Sequence, residues 1–258
     1  MSMILETRGL TKRFGGVYAV KGLDLSVKEG EIFGLIGPNG AGKSTVFSMV
    51  GGFQPPTEGE IVFDGSDITG DPADQVSRRG IARVFQQTLL FEKLSVLDNV
   101  FVGCHKEYQT PQWSRVLRTR AARVEEKRLR AKALETVKLM GLEPVQDQLA
   151  KNLPHGLQRT LSVALALVGQ PRLLLLDEPV TGMNPSETKD MTRLISRIRD
   201  MGITIMLVEH DMKVVMDICE RVVVIDFGEK LCEGPPDKVC VDEKVCEAYL
   251  GKGTFDAA

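Results

Sequence analysis

At 258 residues the chain is long enough for one large α/β domain or two small ones, and its 43% hydrophobic content suits a protein with a buried core. A net charge of −2 argues against a nucleic-acid binder that relies on a basic face. No stretch reaches the roughly 20 apolar residues that span a bilayer, and the N-terminus lacks the charged-then-apolar layout of a signal peptide.

The first 35 residues alternate polar and apolar in the manner of strands: 4–8, 17–20 and 23–27, with turns expected at Gly15-Gly16 and Glu29-Gly30. This predicts an antiparallel β layer. Next comes the apolar run Glu31-Ile32-Phe33-Gly34-Leu35-Ile36, then Gly37-Pro38-Asn39-Gly40-Ala41-Gly42-Lys43-Ser44-Thr45, then the helical Val46-Phe47-Ser48-Met49-Val50. The middle segment satisfies G-x-x-x-x-G-K-[ST], the phosphate-cradling P-loop. Its glycines let successive N–H groups point at a polyphosphate, with the positive end of the following helix behind them. Lys43 supplies a cation for the β and γ phosphates, and the Ser44 hydroxyl is suited to Mg²⁺. Strand, loop and helix in register make this chain a nucleoside-triphosphate binder.

A hairpin signal follows at 59–65. From about residue 88 to 160 the character becomes charged and helical, with a long helix expected over 115–140 and Val124, Leu129, Leu134, Val137 and Leu139 at helical spacing. The basic run Arg115, Arg118, Arg120 and Arg123 is interspersed with Glu125, Glu126 and Glu135, which favours a solvated face over a nucleic-acid or lipid contact. Alternation then resumes: a fully apolar strand at 173–176, a helix at 186–201, a strand at 204–208, a helix at 212–219 and a strand at 222–226. One domain over residues 1–258, interrupted by a helical insertion at about 88–160, is the simplest organisation. The five cysteines form no C-x-x-C pair, so reduced thiols in a cytosol are expected rather than disulfides or a zinc site.

The strand at 173–176 ends in Asp177-Glu178-Pro179. Acids at that end of a parallel strand sit beside a P-loop. Asp177 is therefore the expected partner of Mg²⁺ through its water shell, and Glu178 the general base that polarises the attacking water.

Together these motifs resemble the ATP-binding subunit of ATP-binding cassette (ABC) transporters. The resemblance runs from Leu10 to Gly251. It is closest to the subunits of branched-chain (hydrophobic) amino acid importers, on the segments LTKRFGGVYAV (10–20), RVFQQTLLFEKLSVLDNV (83–100), EPVTGMNPSET (178–188), LVEHDMKVVMDIC (207–219) and the closing AYLG. It implies an α/β fold with a P-loop (RecA-like) core sheet, an antiparallel β subdomain and an inserted helical subdomain. It implies ATP and Mg²⁺ as ligands. It also implies a homologous ATPase as dimer partner, two transmembrane permease subunits, an extracytoplasmic substrate-binding protein, and a place on the cytoplasmic face of the inner membrane. Urea, aromatic acids and lipopolysaccharide are other cargoes of similar ATPases, and soluble ABC ATPases of repair or translation are a further class.

The resemblance also assigns residues. Phe14 matches the aromatic that stacks on adenine, with Tyr18 a weaker candidate. Gln86 matches the glutamine that senses Mg²⁺ and the γ-phosphate. His210 matches the histidine that contacts the γ-phosphate and orients the water, and Asn184 the loop that crosses the dimer interface. The signature, usually Leu-Ser-Gly-Gly-Gln, falls on Leu153-Pro154-His155-Gly156-Leu157. Ser and Gln are lost, while the Gly156 N–H and the helix dipole remain available to the partner's nucleotide. Two outcomes stay open: a sister ATPase with unequal composite sites, or equivalent sites served by His155 and Gly156. An arginine usual in the next helix is replaced at Leu165.

Overall fold

The computed structural model describes residues 2–87 and 89–250. Thr88, where the helical insertion was expected to open, and Gly251 of the closing AYLG lie outside them.

Strands β1 (Met3–Phe14), β2 (Val17–Lys28), β4 (Glu58–Phe63) and β5 (Ser66–Asp67) form an antiparallel sheet of order β2-β1-β4-β5. The expected short strands are therefore two 12-residue strands joined at Gly15-Gly16. The segments 17–20 and 23–27 fuse because Gly9 and Gly22, both at φ 57°, absorb register shifts as bulges instead of turning the chain. Thr11 Oγ1 stitches this irregularity by accepting from Gly22 N at 2.9 Å and donating to Gly9 O at 3.0 Å. The hairpin at 59–65 turns through Asp64 and Gly65, both at positive φ, as a tight twisted turn demands.

The second sheet has the order β10-β9-β3-β8-β7-β6. Its strands are β3 (Ile32–Ile36), β6 (Ile81–Val84), β7 (Leu173–Asp177), β8 (Thr204–Val208), β9 (Arg221–Asp226) and β10 (Glu229–Gly234). All neighbours pair in parallel except β10, which runs antiparallel on one edge. The strands β6 and β10 were not legible as such in the sequence. The unbroken leucines of β7 follow from burial on both faces. Leu174 and Leu176 face one apolar cluster, whereas Leu173 and Leu175 face another shared with Phe33, Leu35 and the inner side of the antiparallel sheet.

Helix α1 (Lys43–Val50) follows β3, and α2 (Ala73–Arg78) precedes β6. Between β6 and β7 run α3 (Val96–Gly103), α4 (Gln112–Val116), α5 (Arg120–Leu139) and α6 (His155–Leu167). The single helix expected at 115–140 is thus two. Arg118 adopts φ 49°, and Thr119 caps α5 by accepting from Ala122 N, so the chain breaks where the spacing of apolar residues hid it. Leu129 and Val137 enter the core as predicted, but Val124 is 64% exposed. Helix α7 (Pro185–Asp200) links β7 to β8, and α8 (Met212–Ile218) links β8 to β9. The chain closes with α9 (Pro236–Val239) and α10 (Glu243–Leu250).

Candidate functional site

The loops leaving the C-terminal ends of β3, β7, β8 and β6 meet at one end of the parallel sheet, where such sheets bind ligands. The first of them is the P-loop. Gly37 and Gly42 hold φ 152° and 104°, and a Cβ on either would come within 2.0 Å of Ile225 O or 2.3 Å of Ala19 O. Only glycine fits a loop wound this closely against its neighbours. Between them Pro38, Asn39, Gly40 and Ala41 carry the chain round to α1, whose first residues are Lys43, Ser44 and Thr45. The Lys43 ammonium folds into the loop and donates to Gly37 O at 2.7 Å and Pro38 O at 2.8 Å. Burial pulls its pKa down, against the opposing pull of Glu178 and Asp177. A polyphosphate in this cradle would exchange those carbonyl contacts for charge-assisted ones.

Glu178 sits just past β7 in a left-handed conformation, φ 47°, which turns its side chain out of the strand direction. Its Oε2 accepts from Gln86 Nε2 at 2.7 Å and from Thr181 Oγ1 at 3.0 Å, and lies 3.7 Å from His210 Nδ1. Thus three residues nominated from distant segments, Gln86, Glu178 and His210, converge on one carboxylate. Such a group, half-buried and held by two donors, is positioned to accept a proton from water. Because the Gln86 amide spends its N–H on Glu178, its carbonyl oxygen stays free for another ligand.

The pair Asp177 and Ser44 was expected to serve Mg²⁺. Asp177 is buried, and its Oδ2 accepts from Arg83 Nη2 at 2.9 Å. Arg83 also donates to Ser48 Oγ at 3.1 Å and lies over the rings of Phe85, Phe53 and Phe47, 4.7, 5.6 and 5.8 Å from their centroids. The donors on offer, the Ser44 hydroxyl, the Asp177 carboxylate and the Gln86 carbonyl, are hard oxygens of the kind Mg²⁺ takes. The guanidinium already balances the carboxylate as a stand-in cation, so the residues fit the metal.

Two further residues went unread in the sequence. Arg159, on α6, is 1% exposed and aims its whole guanidinium at backbone carbonyls. It reaches Phe85 O at 2.8 Å, Glu178 O at 2.6 Å and Asp177 O at 3.2 Å, together with Gln86 O and Pro179 O. One side chain therefore ties the loop of Gln86 to the loop of Glu178. Glu209 is fully buried and accepts from Val180 N at 3.2 Å and His210 N at 3.1 Å, while burial raises its pKa. It fixes the backbone that presents His210. The signal for Arg159 was that it is the one Lys, Arg, Asp or Glu in α6; for Glu209 there was only its place beside the histidine.

The remaining candidates lie apart. Phe14 is 50% exposed at the tip of the β1–β2 hairpin, beneath Lys12 Nζ at 5.3 Å, and Tyr18 is exposed on the facing strand. Phe14 is thus a free aromatic surface and not a core strand residue. Gly156, in the first turn of α6, packs on Glu187 of α7, whose Oε1 would lie 2.7 Å from any added Cβ. Pro154 stands at the cap of that helix, outside its first turn. Asn184 makes a reciprocal capping box with Glu187 at the start of α7. All five cysteines are unpaired.

A glycine-bound anion cradle, a lysine folded into it and a held carboxylate on the neighbouring strand define a P-loop nucleoside triphosphatase. Residues 20–181 match the family described as ABC transporter. The chain is 40% identical over 250 residues to the branched-chain amino acid transport ATP-binding protein BraF of Pseudomonas aeruginosa, covering 96% of this chain and 98% of that one. It is 34% identical over 248 residues to the lipopolysaccharide export ATP-binding protein LptB of Escherichia coli, covering 96% and 97%. Its fold matches the ADP conformation of an ATP-binding cassette of an ABC transporter with a TM-score of 0.85 at 27% identity, over 98% of this chain and all of the other. This chain belongs to the ABC transporter family and is an ATP-binding cassette ATPase.

Proposed function

We propose that the chain is the ATP-hydrolysing subunit of an importer for branched-chain or related amino acids. The observation that carries the hydrolytic reading is the convergence of Gln86, Thr181 and His210 on the Glu178 carboxylate beside the P-loop. Greater identity to a branched-chain amino acid transport subunit than to the lipopolysaccharide export subunit supports the cargo.

On this reading the P-loop N–H groups from Gly37 to Thr45 and the Lys43 ammonium hold the phosphates, and Phe14 stacks on the base. Glu178 draws the proton from the attacking water, His210 orients that water, and Gln86 couples the carboxylate to the metal side of the site. Bound Mg²⁺, held through Ser44, Asp177 and Gln86, would offset charge on the β and γ phosphates. Arg83 and Arg159 keep the two loops in register while these groups act.

Residues 1–258 are read as a single nucleotide-binding domain, with the helices between about 88 and 160 as its arm. The signature at 153–157 is read, on the family resemblance, as serving a homologous partner's nucleotide in a dimer, with Gly156 at the start of α6 packed on Glu187 of its own chain. With Pro154 and Leu157 in place of Ser and Gln, the two composite sites of a heterodimer would be unequal. Restoring Pro154→Ser and Leu157→Gln should then raise the ATPase rate of the assembled complex; an unchanged rate would show that His155 and Gly156 suffice.

Among the described residues no helix is long and apolar enough to cross a membrane, so transport needs permease subunits from other chains. An apolar cleft of about 390 Å³, lined by Phe53, Phe85, Leu89, Phe91, Val102 and Leu165, opens beside the Gln86 loop and suits a permease helix. On this reading the chain works on the cytoplasmic face of the inner membrane, with an extracytoplasmic binding protein delivering cargo. Copurification from a membrane fraction, with partner chains identified by mass spectrometry, tests this. Recovery of a permease pair supports it; a chain recovered without membrane partners contradicts it.

A further inference from the structure

The break between α4 and α5 leaves an apolar surface that the ATPase site does not use. Trp113 and Val116 of α4 and Leu117 at its C-cap, at i, i+3 and i+4, lie on one face and are 64%, 82% and 70% exposed. Val124, one turn into α5, adds a fourth at 64%. The opposite side of α4 is anchored. Ser114 is buried and hydrogen-bonded to Thr119 through their hydroxyls, and Arg115 stacks on Tyr108 at 4.6 Å. The carboxylate of Glu125 is engaged by Gln109 N at 2.7 Å and Thr110 N at 3.1 Å. This is a held structure with its apolar face outward, the reverse of a helix packed on its own core.

Arg118 lies in the break beside that face, and Arg120, Arg123, Lys127 and Arg128 follow it along α5, with Arg120 and Arg128 lining the same shallow cleft as Val124; the only acids in the stretch are Glu125 and Glu126, in a chain whose net charge is −2. Exposed tryptophan and aliphatic side chains followed by a run of arginines are the composition of a surface that enters a lipid headgroup layer. Guanidinium forks match phosphate, and the indole favours the apolar–polar boundary. A nucleic acid would satisfy the arginines but leave Val116 and Leu117 against water.

We propose that residues 112–124 form a membrane-contact patch that seats on an anionic phospholipid surface, with Trp113, Val116 and Leu117 entering the headgroup region. The proposal deepens the reading of the chain as a membrane-peripheral subunit. Its test uses the full chain alone, so its failure is distinguishable from failure of permease copurification.

Trp113 is the sole tryptophan, so its emission reports on the patch directly. With phosphatidylglycerol-containing vesicles the emission should shift to the blue and the chain should cosediment, whereas pure phosphatidylcholine vesicles should produce neither. Arg118→Gln should weaken cosedimentation about fivefold, the worth of one basic residue near an anionic surface. Leu117→Gln, at a position too exposed to disturb folding, should weaken it by about tenfold. Unchanged emission with anionic vesicles overturns the proposal. So do equal binding to both vesicle types, binding indifferent to both substitutions, or a blue shift that requires detergent-solubilised permease in place of lipid.

Discussion

Replacing Arg159 by Met keeps the length and most of the volume of the side chain while removing every donor. Five carbonyls, Phe85, Gln86, Asp177, Glu178 and Pro179, then lose their partner in a site that is 1% exposed, where water has no ready access. A charge-assisted hydrogen bond contributes about 1.5–3 kcal/mol, and the short contacts to Gln86 O, Glu178 O at 2.6 Å and Phe85 O at 2.8 Å dominate. The guanidinium's own desolvation cost is recovered, so the sum is not additive. The net loss should be ~3–5 kcal/mol, the range for stripping one member from a buried charged network. In a domain of this size that lowers the melting temperature by about 10 °C. Circular dichroism of the nucleotide-free chain, with denaturant midpoints at constant slope, measures it. Because the orphaned carbonyls belong to the loops of Gln86 and Glu178, hydrolysis should fall by more than nucleotide affinity does. A melting temperature within about 2 °C of the parent would show that Arg159 is not the tie between these loops.

Arg83→Gln leaves the buried Asp177 carboxylate without its counter-ion, so the metal-free chain should lose ~3–5 kcal/mol. The ratio of nucleotide affinity with Mg²⁺ to that in EDTA should rise by about tenfold, since the metal no longer competes with a resident cation; an unchanged ratio makes Arg83 purely structural. Burial pushes the Cys104 thiol up from 9.0 to about 11. Above 9.0 the unfolded chain sheds this proton while the native chain keeps it, so stability falls across that window by about 2–3 kcal/mol. Cys104→Ala should flatten the alkaline limb relative to the parent; an identical slope contradicts the assignment. Asn184→Ala removes the side-chain oxygen that accepts from Ser186 N and Glu187 N at the start of α7 and should cost ~1 kcal/mol by denaturant unfolding, and no loss would mean the cap is idle.

What the sequence made legible was whatever a short segment encodes by itself. Gly37 to Thr45 announced the P-loop because the backbone path needs glycine at 37 and 42, and Leu173 to Asp177 announced a central strand because both its faces are buried. Its resemblance to transporter ATPases carried Gln86 and His210 to the same carboxylate. The rest depends on contacts remote in sequence. Arg159 is defined by carbonyls some 18 to 74 residues away, and Arg83 by Asp177, 94 residues on. Neither partner set leaves a local trace. The segments 17–20 and 23–27 read as separate strands because a bulge and a break ask for the same kind of residue at Gly22, and only the pairing between β1 and β2 separates them. Val124 fitted a helical apolar stripe, yet the break at Arg118 rotates the start of α5 away from the core. The exposed face of α4 was hidden for the same reason, since a charged stretch with scattered apolar residues looks like any solvated helix.

The central claim is that Glu178 drives hydrolysis that powers amino acid import. The complex should be reconstituted in proteoliposomes with its permeases and binding protein, and ATP-dependent uptake of labelled leucine compared between the parent and Glu178→Gln. The account predicts uptake by the parent and its loss in the variant, with ATP binding preserved in both. Uptake that persists in the variant, or a parent that hydrolyses ATP without moving any branched-chain amino acid, would contradict it.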